Sequence, residues 1–345
     1  GLNYPLIPNP DITWESSLKK DLGIDGTFLN RMFNFSLDFW HSHDYNKLES
    51  PSATVPNTFG FAKFADVNHG TFNQYGIEAS IGINAPIGRK GFMVFGTINF
   101  GISDNKVINR YYNALSDTGY KNPIGKRADL GISGYKATGI VRSQADVDAW
   151  YAKHPGWTIN GDSLRVGDLN FQDLDGDGKI TSNDITQIAT RSSNIFGMGF
   201  NLGASYKGFR FSVNLSLGVG GQTVWKKADI ATPTKDLSSL AMWKNSYTAT
   251  NTNAPYPAIY APFATETSSF WLRSATTMTI NNMQLSYTLP QQLVQRYHLP
   301  DMRVYITGIN LWDIINPTPF KDSRAGTAAD YPILRTWTFG ANINL

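Results

Sequence analysis

Phe196-Gly-Met-Gly-Phe-Asn-Leu-Gly-Ala-Ser-Tyr206, then Lys207-Gly208, then Phe209-Arg-Phe-Ser-Val-Asn-Leu-Ser-Leu-Gly-Val219, is the stretch that decides the fold. In the first run Phe196, Met198, Phe200, Leu202, Ala204 and Tyr206 alternate with Gly197, Gly199, Asn201, Gly203 and Ser205. In the second, Phe209, Phe211, Val213, Leu215, Leu217 and Val219 alternate with Arg210, Ser212, Asn214, Ser216 and Gly218. Strand side chains point to opposite faces in turn, so each run is a strand with one apolar and one polar face. The pattern recurs in 32–40 (Phe33, Phe35, Leu37, Phe39), in 75–85 (Tyr75, Ile77, Ala79, Ile81, Ile83) and in 337–345 (Trp337, Phe339, Ala341, Ile343, Leu345).

Two architectures use such strands. A soluble sandwich hides the apolar faces between two sheets, with strands of about five or six residues. A transmembrane barrel turns them to lipid, with runs of roughly ten residues and aromatics at the ends. Here the runs are long, aromatics bracket them and the polar faces are mostly Gly, Ser and Asn. The expected fold class is therefore all-β, an antiparallel transmembrane β-barrel with long extracellular loops. Lipid cannot satisfy an open strand edge, so the barrel must close.

Connection lengths give a separate test. Joins at 29–31, 86–91, 207–208 and 290–300 are short, whereas 48–62, 108–191, 221–270 and 312–333 are long. Bacterial barrels place short turns in the periplasm and long loops outside. Counting back from a descending last strand gives about nine spans: 14–28, 31–46, 64–85, 91–106, 194–206, 209–220, 276–289, 302–311 and 334–345. Short and long joins then alternate if all of 108–191 is an extracellular excursion, including the strand-like 133–141. An odd count cannot close with antiparallel neighbours, so the barrel is expected to be partial, with its first strands supplied from elsewhere. Two residues strain the scheme. Lys20 shares the face of Leu18, Leu22 and Ile24, and the apolar phase flips at Asn281-Asn282, where a β-bulge is expected.

Composition narrows the functions. The 345 residues include no cysteine, 31 glycines, 13% aromatics and 17% charged residues, with net charge +3. Disulfides, thiolate metal sites and cysteine nucleophiles are excluded. No apolar run of roughly 18 residues suits a spanning helix, and the small, dispersed positive charge argues against nucleic acid. The chain opens at Gly1 without Met or an apolar leader, which suggests a processed product or an internal piece. Hydrolase, metalloprotease, phosphate-loop and dinucleotide motifs do not appear, so nothing supports an enzyme.

One motif carries chemistry. Asp173-Leu-Asp175-Gly-Asp177-Gly178-Lys179-Ile-Thr-Ser-Asn-Asp184 has the spacing of a twelve-residue calcium loop at 173–184. Asp173, Asp175, Asp177 and Asp184 would supply carboxylates, and Lys179 its backbone carbonyl. Four acids so close repel unless a cation neutralises them, and a structural Ca²⁺ pinning an outer loop is expected. Residues 166–171 read as extended, 145–154 as a short helix and 183–188 as another. Five dispersed histidines suggest no metal centre. Long loops carry Trp150, Trp157, Trp225, Trp243, Tyr260 and Trp271, which either bind a partner or substrate or pack the loops into a cap. Polar inward residues Asn34, Asp38, Glu78, Asn99, Asn201 and Asn214 would line the lumen.

The whole length resembles the C-terminal portion of SusC-like TonB-dependent outer-membrane transporters. The resemblance is carried in order by Asn9-Pro-Asp-Ile-Thr-Trp-Glu15, Gly76-Ile-Glu-Ala-Ser80, Gly134-Tyr-Lys-Ala-Thr-Gly-Ile140, the segment from Asp168 to Ile180, Tyr287-Thr-Leu-Pro290, Arg303-Val-Tyr-Ile-Thr-Gly-Ile-Asn-Leu311 and Arg335-Thr-Trp-Thr-Phe-Gly340. It implies a barrel of about 22 strands, of which nine are here, in the outer membrane of a Gram-negative bacterium. It further implies an N-terminal plug and a TonB-contacting segment, both expected outside this chain, and a SusD-like surface lipoprotein closing over bound glycan or peptide. The chain ends in Leu345, where such barrels commonly end in an aromatic. Two other readings fit the residues: a barrel scaffold in an outer-membrane assembly or secretion complex, and a secreted, calcium-stabilised, carbohydrate-binding β-protein.

Overall fold

A computed structural model describes residues 8–51, 64–88, 91–112, 120–234, 239–298, 300–328 and 330–344. Its main feature is one antiparallel sheet of nine strands. In chain order these are β1 (Ser16–Phe28), β2 (Phe33–Glu49), β3 (Val67–Ile87), β4 (Phe92–Asn109), β5 (Phe196–Tyr206), β6 (Phe209–Val219), β7 (Thr277–Thr288), β8 (Asp301–Ile315) and β9 (Thr336–Asn344). Each pairs with its neighbours in sequence. The nine expected spans correspond to these nine strands, and the described residues of 110–191 add no further strand to the sheet.

Register turns the alternation of single strands into two continuous faces. Leu22, Phe39, Ile77, Ile102, Phe196 and Val219 lie opposite one another across six strands. Two rows further, Gly26, Phe35, Ile81, Ile98, Phe200, Leu215 and Ile280 do the same. On the other face, Thr27, Asn34, Gly82, Thr97, Asn201, Asn214 and Asn282 form a row in which every member is polar or glycine. The apolar side chains do not pack across a dry two-layer core: Ile81, Phe39, Phe211 and Phe339 are exposed. A slip of one residue in any pairing would exchange the faces, so the two patterns fix the register together.

The joins explain themselves locally. Lys207 and Gly208 both take positive φ, 47° and 86°, the mark of a type I′ hairpin turn whose twist suits the flanking strands. Leu29, Asn30 and Arg31 are also left-handed. The phase flip at Asn281 is a bulge: the register shifts between Asn214 and Leu215 on one side and between Ile280 and Asn282 on the other. Lys20 does sit on the apolar face, opposite His41.

Above the sheet, the long connections fold into a cap. Helix α1 (Gln144–Lys153) starts at Ser143, whose hydroxyl accepts from Asp146 N. The expected helix at 183–188 is not formed. A single 3₁₀ turn, Ser182–Asp184, leads into a short strand, Thr186–Ala189, paired with Ile132–Gly134. Asp184 is drawn into a capping box with Thr181, and Thr186 and Ile188 are β-branched residues that favour the strand. Most of the 48–62 loop and Leu345 lie outside the described residues.

Candidate lumen wall and extracellular cap

All six residues expected to face the lumen lie on the polar face. Asn34, Asn201 and Asn214 border one recess of about 700 Å³, with Phe95, Thr97, Arg210 and Ser212. Asp38, Glu78 and Asn99 border another of about 340 Å³, with Gly101, Gly197 and Gly199. A Cβ built at Gly101 or Gly197 would meet nothing within 4 Å. These glycines therefore leave open space on the wall rather than relieve a clash.

Several wall residues escaped the sequence reading. Asn281 is brought to the polar face by the bulge and donates to Asn214 Oδ1 (2.8 Å) and to Ser216 Oγ (3.3 Å). Asn214 in turn donates to Asn201 Oδ1. The result is a ladder of amides across β5, β6 and β7. Arg210 stacks on Phe95, its guanidinium carbon 3.7 Å from the ring centroid, and Arg303 donates to Gln284 Oε1 (3.3 Å). The phase flip was the legible signal for Asn281; stacking between Arg210 and Phe95, on strands β6 and β4, has no signal in a single sequence. The wall mixes amides, hydroxyls and glycines with both acids (Asp38, Glu78) and bases (Arg210, Arg303), and so offers hydrogen bonds and charges of both signs to polar solutes.

The cap has two interiors. One gathers Trp225, Ile230, Trp243, Tyr247 and Trp271; the other gathers Tyr135, Trp157, Ile159, Leu169, Phe171 and Ile180. Trp271 is fully buried, 5.7 Å from Trp225 and 5.9 Å from Tyr256 between ring centroids. Three indole N–H groups brace the cap: Trp225 ties its connection to the next long one through Pro317 O (2.8 Å), while Trp243 on Ile230 O (3.2 Å) and Trp271 on Ala264 O (2.9 Å) fasten the 220–276 connection to itself. Trp157, Trp225, Trp243 and Trp271 thus hold the cap from within, and Trp150 packs edge-on to Trp157. Of the loop aromatics singled out by sequence, Tyr260 is the one offered to solvent, 58% exposed.

In the 173–184 loop, ligand atoms of Asp173, Asp175 and Asp177 lie within 4.8 Å of one another. Asp184 stands apart from them. It is fully buried, and its two oxygens accept from Leu174 N (2.7 Å) and Thr181 N (2.8 Å), closing the loop on itself. Burial pushes the Asp173 carboxyl up, but the N–H groups of Gly178 (2.9 Å) and Gly176 (2.6 Å) outweigh it, leaving it below the usual carboxylate range. A depressed native value stabilises above the unfolded value and is lost as pH falls. Amide exchange at Gly176 and Gly178 is therefore expected to rise as pH drops below about 4, after correction for intrinsic rates. Flat protection down to strong acid would contradict this.

An amphipathic sheet with an outward apolar band, a polar wall and a cap on the long-loop side defines a segment of an outer-membrane β-barrel. The comparisons specify which. The model of the TonB dependent receptor-like β-barrel matches residues 1–224, and the chain belongs to that family, one of Gram-negative outer-membrane receptors and transporters rather than enzymes. It is similar to TonB-dependent receptor P3 of Formosa agariphila, 26% identical over 97% of this chain and 34% of that protein. It is also similar to receptor P26 of the same organism, 22% identical over 99% of this chain and 36% of that protein. Its fold is that of one part of the RagAB peptide transporter, with TM-score 0.73 at 20% identity over 99% of this chain and 36% of that one. The chain thus spans about a third of the length of the proteins it matches.

Proposed function

We propose that this chain forms the C-terminal wall of a SusC-like importer of oligomeric nutrients, peptides or glycans. A SusD-like surface lipoprotein would close over the cap, and a part of the protein preceding this chain would contact TonB. The observation that carries this reading is the continuous polar wall, amides, hydroxyls and glycines with charges of both signs, beneath a braced cap. The likeness to the RagAB peptide transporter supports the choice of oligomers over small ions. Exposed Tyr260, held by its hydroxyl on Val166 O (3.1 Å), is the aromatic we assign to the lipoprotein or substrate side.

Filling the wall tests the reading. Gly199→Trp or Gly101→Trp in the full-length protein projects an indole into the 340 Å³ recess. The expected result is normal outer-membrane assembly with several-fold slower uptake of oligopeptides or oligosaccharides. Unchanged uptake of every oligomer class would refute the reading.

We further propose that Asp173, Asp175, Asp177 and the Lys179 carbonyl hold Ca²⁺, with Asp184 bracing the loop. Three carboxylates within 4.8 Å repel one another without a cation, and hard oxygens suit calcium. The ion would be structural, keeping one edge of the cap in place.

A further inference from the structure

Charge begins abruptly on the outward face. Register places Lys20, His41, Tyr75 and Asp104 in one row across β1 to β4. The next row toward the loops holds Leu18, His43, Asn73 and Lys106. From the Leu22–Phe39–Ile77–Ile102 row down to the short turns, these four strands carry no charged side chain on this face among the described residues. The two polar rows therefore sit at the loop-side margin of the hydrocarbon band, at the depth of the outer-leaflet headgroups.

Part of this charge is already matched. Asp104 pairs with Arg127 and with Arg191 (3.5 Å), and Arg127 also reaches Asp129 (3.3 Å). Two cations and two anions cancel there. Lys20 and Lys106 remain, both exposed and, among the described residues, without an ion-pair partner. Between them His43 is held by Asn73 (2.7 Å) and stacks 5.6 Å from Tyr45, while Tyr45 and Tyr75 present exposed rings. Amphipathic rings and long lysines belong at a membrane interface, where stems lie on apolar surface and heads reach polar groups.

We propose that this patch binds the phosphorylated glycolipid headgroup of the outer leaflet, with Lys20 and Lys106 each meeting a phosphate. The two lysines stand three strand spacings apart, about 14 Å, and one row apart along the strands, about 7 Å. Roughly 16 Å thus separates their backbones, and two flexible side chains bring that span within reach of a disaccharide bearing a phosphate at each end. The acyl chains would cover Leu22, Phe39, Ile77 and Ile102 immediately below. A soluble protein cannot occupy this site, because its lower edge lies in hydrocarbon. The patch also gives Lys20 a role consistent with its place on an otherwise apolar face.

The test uses the full-length protein in detergent, titrated with bis-phosphorylated lipid A or its phosphate-free form and read by native mass spectrometry. Wild type is expected to prefer the phosphorylated form by roughly tenfold or more. Lys20→Gln/Lys106→Gln should lose that preference yet still bind the phosphate-free lipid, whereas Lys20→Arg/Lys106→Arg and Lys207→Gln should keep it. Inorganic phosphate at matched concentration should not compete. Equal binding of both lipids by wild type, preference retained by the glutamine variant, or displacement by inorganic phosphate would overturn the proposal.

Discussion

Asp229→Ala is expected to loosen the cap by about 3–5 kcal/mol, the cost of leaving a buried charge without its partner. The carboxylate is 2% exposed and lies 3.0 Å from Lys321 Nζ, itself 9% exposed. Its other oxygen accepts from Ala328 N (2.6 Å), and Lys321 also donates to Gly326 O (2.9 Å). This pair ties the connection between β8 and β9 to the one between β6 and β7, alongside the Trp225–Pro317 bond. Truncating Asp229 leaves a largely buried ammonium ion without its counter-charge. Asp229→Leu/Lys321→Met should be much milder, since a buried pair replaced by apolar groups of similar volume is often neutral. Hydrogen exchange across 313–328 provides the measurement: strong deprotection is expected in the single variant and little in the double. Unaltered exchange in Asp229→Ala would mean that the loops are held elsewhere.

Phe200→Arg is the second large effect, expected to cost about 2–4 kcal/mol at mid-membrane depth. Phe200 stands in the row with Ile98 and Leu215, well below the first charged row. Asn201→Arg moves the same charge one residue along and to the opposite face, where water solvates it. That change should leave stability nearly intact and alter lumen selectivity instead. Urea unfolding of the full-length protein in bilayers separates the two cases. Equal losses for both variants would contradict the assignment of faces.

Much of the barrel was legible because its physics is local. Phe209 to Val219 alternate without interruption, lipid and water act on neighbouring residues in opposite senses, and Lys207-Gly208 can only turn. Even the bulge at Asn281 announced itself as a phase error. The place of Lys20 was not readable from its own strand: it became intelligible only when register set it beside His41, Tyr75 and Asp104. The cap was opaque for a related reason. Trp225 and Pro317 are 92 residues apart, and nothing in a single sequence distinguishes an indole locked inside a loop cluster from one displayed on it. Trp271 and Tyr260 looked alike, yet one is fully buried and the other 58% exposed. In the 173–184 loop the spacing gave the three clustered carboxylates but not the inward turn of Asp184, which depends on Thr181 and Leu174 donating to it.

Single cysteines introduced from Phe196 through Val219 into the full-length protein, spin-labelled in lipid bilayers, test the assignment of faces most directly; this chain has no cysteine of its own. Labels at Met198, Phe200, Leu202, Val213 and Leu215 should be accessible to oxygen and shielded from a water-soluble nickel reagent. Labels at Gly199, Asn201, Ser212 and Asn214 should show the reverse. If the first set were shielded from both reagents, those side chains would be packed against protein, and the barrel account would fail.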